Sequence, residues 1–271
     1  MEGKKKGIVK AFGEIGLDYD RLFFSSKELQ QEYFKKQLEI SIELELPLFL
    51  HLRASTDDFI QIIKPYLSRM KKNGVIHSFT GTEEELNKFL ELGFYVSVNG
   101  CSFKTDENLK VASKIPLDKL LIETDAPWCE IKRTHPSYKY LTQYPNFYYP
   151  KVKIIEEEIK NLANNNNNNN KIKTKGRNKE PKINYHEFLP FPNIKKEHYN
   201  KFFNSDNFDN NSNFIDEFKF KLPLIKSRNE PVCIGFVAEV MSKLKDVEPK
   251  ELIETCYLNS CKLFELEEND N

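Results

Sequence analysis

Residues 74–98 read GVIHSFTGTEEELNKFLELGFYVSV, and this stretch decides the fold. Two short runs rich in β-branched and aromatic residues flank a segment in which Leu86, Phe89 and Leu90 recur at helical spacing. Thr82 and Glu85 stand three positions apart ahead of that stripe, the pattern of a capping box, and Gly93 is placed to end the helix in a left-handed conformation. A strand, a helix and a second strand in this order make a βαβ unit, so the sheet is parallel and the fold class is α/β.

The same alternation extends in both directions. Upstream, IVKAF (residues 8–12) reads as a strand leading into the loop GEIGLDYD (residues 13–20). A helix from about Lys27 to Glu45 turns Phe34, Leu38 and Ile42 inward, and Pro47 separates it from the strand Leu48 to Leu50. The next helix opens at Ser55 or Thr56, aligns Phe59, Ile62, Ile63, Leu67 and Met70, and bends at Pro65. Downstream lie a helix from about Asp106 to Lys114 and the strand LLIETD (residues 120–125), which is apolar until its last three residues, as a buried parallel strand should be. Near the end of the chain, Pro231 sits at a first helical position with Ile234, Ala238, Met241 and Leu244 facing inward; a closing helix buries Leu252, Ile253, Cys256 and Leu263.

Between Pro150 and about Leu222 the character changes to asparagine and lysine, including seven consecutive asparagines from Asn164 to Asn170. Too few apolar residues cluster there to offset the entropy of ordering, so residues 150–222 read as a disordered insertion. It divides one domain into residues 1–149 and 223–271. Its KIKTKGRNK run suits a nuclear address, a DNA contact or simply a solvated charged stretch.

A chain of 271 residues with 39% hydrophobic content can bury one large α/β core. Lysine plus arginine number 41 and aspartate plus glutamate number 41, so no overall basic field announces a nucleic-acid partner. Five cysteines without CxxC spacing argue against a disulfide framework and a zinc knuckle, and point to a reducing, intracellular compartment, nuclear or cytoplasmic. Lys4, Lys5 and Lys6 precede only a short apolar stretch broken at Lys10, so a signal-peptide core is not expected, nor is a membrane span.

Four residues of metal-ligand type occupy equivalent places. Glu14, His51, His77 and Asp125 each lie at or just beyond the C-terminal end of a different expected strand, and those ends converge on one face of a β/α barrel. Taken singly, each has an ordinary alternative: Glu14, like Asp18 and Asp20, can be a loop or capping residue, and either histidine can be a satisfied interior side chain. Asp125 is the sharpest case. A strand ending in ETDAP buries two carboxylates, which is costly unless they are paired or bound to metal, and Glu123 can hydrogen-bond rather than ligate. Mixed imidazole and carboxylate donors suit zinc, manganese or magnesium better than calcium.

GEIGLDYD, LPLFLHLR, VIHSFTG, LGFYVSVNG, LLIETDAPW and RNEP, in this order, resemble the successive motifs of TatD-like deoxyribonucleases, with NGCSFKTDENL and ETDAPWC closest to the eukaryotic branch. The resemblance covers about Val9 to His135 and Arg228 to Phe264. It implies a TIM-type (β/α) barrel and a divalent-metal hydrolase that cuts DNA phosphodiesters, single strands or ends, with two magnesium or manganese ions, or zinc. Glu14 would bridge the ions, His51 and His77 would bind one, and Asp125 would bind the other and orient or deprotonate the attacking water. Arg53 and Lys104 would reach the phosphate and Trp128 would stack on a base; a structural ion pair for Arg53 and rim packing for Trp128 are the alternatives. Tyr144, Phe147, Tyr148 and Tyr149 can hold single-stranded DNA or pack a loop onto the barrel, and Arg228 is expected to anchor the last helix or pair with a buried acid rather than touch substrate.

The resemblance also implies a His-x-His strand and two further strands ahead of GEIGLDYD, where this sequence has eight residues before Val9. The expectation is therefore a barrel lacking its first strands, with open edges at IVKAF and LLIETD. Two other readings stay open: a catalytically impaired remnant that binds a partner, and a metal-dependent hydrolase of amides or esters.

Overall fold

The computed structural model describes residues 2–150, 184–185, 187–198 and 223–266. Its centre is one parallel sheet whose five strands lie side by side in sequence order: β1 (Phe12–Asp18), β2 (Leu48–Arg53), β3 (Gly74–Ile76), β4 (Tyr95–Val98) and β5 (Leu120–Ile122). A short helix α1 (Glu2–Lys5) precedes the sheet. The crossovers carry α2 (Lys27–Leu44), α3 (Thr56–Ile63), α4 (Glu83–Glu91) and α5 (Asp106–Ser113); α6 (Ile234–Lys245) and α7 (Pro249–Phe264) close the core. This is the βαβ succession of a barrel, and five strands do not close one. Among the described residues β1 and β5 are each paired on one side only.

Local chemistry places the helices where the sequence puts them. Ser26 caps α2 by accepting from the Leu29 amide, and Thr82 with Glu85 forms the full reciprocal capping box at α4. Leu86 and Phe89 are buried below that box, and Gly93 follows the helix at φ 83°. Helix α3 ends at Ile63, and the chain tightens into a 3-10 turn through Pro65.

The first strand departs from expectation. Ile8 and Val9 are 74% and 42% exposed, and the ladder runs instead through Phe12 and GEIGLD, the segment expected to be a loop. The two glycines that look like loop punctuation are what make the pairing work. A Cβ on Gly13 would lie 2.5 Å from the Phe49 carbonyl oxygen and one on Gly16, at φ 147°, 1.9 Å from that of His51, so only glycine lets β1 approach β2 this closely. Two helical positions also differ. Ile234 and Ile253 are 36% and 38% exposed, because the stripe of α7 runs Leu252, Cys256, Asn259, Leu263 and Ile234 is the first residue of α6, outside its packed face.

The alternation of strand side chains divides the sheet into two faces. Ile15, Leu17, Leu48, Leu50, Ile76, Val96, Val98 and Leu120 join Phe34, Phe59, Phe89, Phe94 and Met241 in the main core. On the opposite face Val75, Tyr95 and Leu121 pack with Phe49 and with Leu263 and Phe264 at the end of α7. That second face also carries the site.

Part of the asparagine-rich stretch belongs to the described structure. β6 (Asn184–Tyr185) and β7 (Pro192–Ile194) pair antiparallel, β7 pairs parallel with β8 (Leu224–Ile225), and Phe188 and Leu189 are buried against Tyr149 and Phe236. Folded chain reaches further into that stretch than its composition suggests, and Tyr149 packs there. The asparagine run and KIKTKGRNK lie outside the described residues. Among the described residues no helix is long and apolar enough to cross a membrane.

Candidate metal centre

Glu14, Asp18, His51 and His77 stand on the inner face because each is an even number of residues from a neighbour that faces that way or an odd number from one in the main core. Register then brings them together: Gly16 pairs with His51 and Asp18 with Arg53 across β1 and β2. Glu14 Oε1 lies 2.7 Å from His51 Nδ1 and 2.8 Å from His77 Nε2, and the two ring nitrogens are 3.1 Å apart. One carboxylate oxygen and two imidazole nitrogens thus lie within 4.8 Å of one another, the sole such group of metal-ligand side chains among the described residues. This borderline-hard donor set fits a first-row divalent ion or magnesium.

A surrounding layer orients the donors. Asp18 Oδ2 sits 3.2 Å from His51 Nε2 and 3.4 Å from Arg21 Nε. Glu123 Oε1 is 3.5 Å from His77 Nδ1 and accepts from the Ser78 amide at 2.7 Å and from Asn99 Nδ2 at 3.0 Å. A carboxylate engaging the far nitrogen of a ligating histidine sets the tautomer and raises its basicity. Asp18 and Asn99 were not singled out for this role by the sequence. Asp18 looks like the cap it also is, accepting from the Asp20 amide, and fully buried Asn99 looks like a turn residue beside glycine.

The electrostatics follow from these contacts. Hydrogen bonds from His51 and then His77 hold the Glu14 carboxyl far below the usual carboxylate range, against a weaker opposing effect of burial. Burial pulls His77 down, but its bonds to Glu123 and Glu14 outweigh it and push the imidazole up to about 9. His77 is raised above its unfolded value of about 6.5, so the stabilisation it brings is complete below that pH and is lost as pH rises through about 9. Glu14, being lowered, contributes above its ordinary range and loses that contribution on acidification. Melting temperatures measured in chelator should therefore fall between pH 7 and pH 9 in the native chain, and this fall should flatten in His77→Gln; an unchanged slope in the variant would show that the pair is not the titrating element.

Asp125 is placed apart from the three donors. It has a left-handed φ of 51°, its carboxylate accepts from Cys129 Sγ at 3.2 Å, and its carbonyl accepts from the Trp128 amide at 2.8 Å. Cys129 Sγ in turn lies 2.7 Å from Cys101 Sγ. The contact with Cys129 and the neighbouring Lys104 ammonium hold the Cys101 thiol below its ordinary range despite burial, while the Cys129 thiol is pushed up. Lys104 is thus turned toward Cys101. Arg53 Nε is 3.8 Å from Asp20 Oδ2, a loose pair, and Arg53 lines a cleft of about 510 Å³ with Thr56, Thr80 and Glu85. Trp128 is 71% exposed at the rim. From RNEP, Asn229 fastens the Asp125 loop, donating to the carbonyls of Thr124 at 2.7 Å and Pro127 at 3.1 Å.

Residues 2–171 match the family model described as TatD related DNase. Deoxyribonuclease Tat-D of Schizosaccharomyces pombe is 37% identical over 97% of the chain, and the chain spans 64% of that relative's length. A 3'-5' ssDNA/RNA exonuclease TatD of Erwinia tasmaniensis is 44% identical over 44% of the chain and 46% of its own length. A crystal structure of an uncharacterized amidohydrolase from Saccharomyces cerevisiae superposes with a TM-score of 0.65 at 33% identity, over 94% of this chain and 64% of the other.

Proposed function

The chain belongs to the family of TatD related DNases, and on that premise we propose that it is a divalent-metal-dependent hydrolase of DNA phosphodiester bonds. The observation that carries this reading is the convergence of Glu14 from within β1, His51 from within β2 and His77 just past the end of β3, within 4.8 Å. An ion held there, magnesium or manganese by this reading, would polarise the phosphoryl oxygens and lower the pKa of an attacking water.

Each side chain then has a task. Glu123 engages His77 Nδ1, leaving Nε2 to face Glu14 and the ion, and Asp18 does the same for His51 from its Nε2 side. Asp125, on the loop behind β5, is the base that takes the proton from water. Arg53 and Lys104 steady the substrate phosphate, and Trp128 offers its exposed face to a base, which suits single-stranded DNA or frayed ends; the exonuclease name of the Erwinia relative supports that preference. A second ion between Glu14 and Asp125 rests on the resemblance of the sequence motifs alone. An intracellular location fits five free thiols.

The test is cleavage of labelled single-stranded DNA with magnesium or manganese, with chelator, and with Asp125→Asn. Cutting should require metal and fall roughly 10²–10⁴-fold in the variant, the usual contribution of a positioned base. Metal-dependent cutting that Asp125→Asn leaves intact would remove Asp125 from this role, and hydrolysis of small amides or esters without DNA cleavage would change the substrate class.

A further inference from the structure

We propose that Cys101 and Cys129 form a peroxide-oxidisable dithiol, a reversible modification site on the loop that carries Asp125. The proposal does not depend on the nuclease reading. The two residues are 28 positions apart in sequence, yet their sulfurs approach to 2.7 Å. A disulfide needs about 2.05 Å, so the bond forms after a small side-chain movement.

The backbone holds the pair in place. Cys101 lies in the 3-10 turn Gly100–Phe103 behind β4, and its amide is fixed by Asn99 Oδ1 at 2.9 Å. Cys129 lies in the loop behind β5 at φ 55°. A Cβ on Gly100 would stand 1.9 Å from the Cys129 carbonyl oxygen, so these two segments abut because residue 100 has no side chain. Both sulfurs belong to half-buried residues, within reach of a small hydroperoxide, whereas Cys256 and Cys261 are buried. Lys104 stands beside Cys101, and the sulfur next to this cation is the one we take as attacking.

The chemistry balances with hydrogen peroxide as the oxidant. Cys101 sulfur attacks one peroxide oxygen, the O–O bond breaks, and the thiol becomes a sulfenic acid with release of one water. Cys129 sulfur then displaces that hydroxyl as a second water, closing the disulfide; the two sulfurs lose two electrons and peroxide gains them. Oxidation takes the Cys129 proton away from the Asp125 carboxylate and ties the Asp125 loop to the turn behind β4.

The experiment treats the whole chain with a small excess of hydrogen peroxide, quenches it, alkylates remaining thiols in denaturant and maps the peptides by mass. The expected result is loss of two alkylatable thiols, a single joined peptide pair containing Cys101 and Cys129, and recovery of both with dithiothreitol. Cys129→Ser should instead leave Cys101 as a sulfenic acid captured by dimedone. Cys101 and Cys129 both remaining alkylatable, or oxidation that links other cysteines or separate chains, would overturn the proposal; the native-chain measurement stands even if the variant fails to fold.

Discussion

Glu14→Gln is expected to abolish tight divalent-metal binding and with it hydrolysis. Glutamine keeps the shape of the side chain and an acceptor oxygen, but it removes the negative charge that both histidines contact at 2.7 and 2.8 Å. Loss of a residue that merely orients a ligand typically costs 10–100-fold in metal affinity or activity, so loss of the shared donor should exceed about 100-fold in both. Equilibrium titration with manganese and initial cleavage rates would measure the two effects on the same sample. Native-like affinity in the variant would place the metal elsewhere, whatever the cleavage rate showed.

The largest effect on stability is expected at Phe59. This fully buried ring stacks on Phe34 at 5.4 Å and meets Phe89 at 5.9 Å and Phe94 at 6.2 Å, so it joins α2, α3, α4 and the approach to β4. Phe59→Ala should cost about 3–5 kcal/mol, from lost burial plus the cavity that a rigid aromatic wall cannot close. Domains of this kind hold only about 5–15 kcal/mol in total, so the urea midpoint should drop by a large fraction. A change below about 1 kcal/mol would mean that the three neighbouring rings collapse into the space.

The helices were legible because their signals are local. A stripe such as Leu86 and Phe89, a cap such as Thr82 and a stop such as Gly93 each act within one turn, and no partner is needed to read them. Strand β1 was misplaced for the opposite reason. GEIGLD holds two glycines and two acids and looks like a loop; it is a strand only because the neighbouring chain at Phe49 and His51 comes so close that a side chain would not fit. The three donors were visible as residues of metal-ligand type on three successive expected strands, although Glu14 and His51 lie within their strands rather than at the ends. Of the layer around them only the hydrogen-bonding role of Glu123 was visible; Asp18 and Asn99 were not, because they act through contacts 21 to 33 residues away in sequence. The two cysteines behind β4 and β5 have no spacing to announce them, and neither does the turn that carries Asp125 toward Cys129 instead of into the donor cluster.

Strands β1, β2 and β3 follow one another in the chain as they do in the sheet, and only 63 residues separate Glu14 from His77. Closing loops of this length is inexpensive compared with joining distant ends. During synthesis, therefore, all three donors leave the ribosome before β4, β5 and the last two helices do. A divalent ion meets a complete donor set on a half-built chain, and any affinity it has there favours the β1–β2–β3 register over competing pairings. On the proposed function, metal supply would then bear on the yield of correctly folded protein as well as on the rate of hydrolysis.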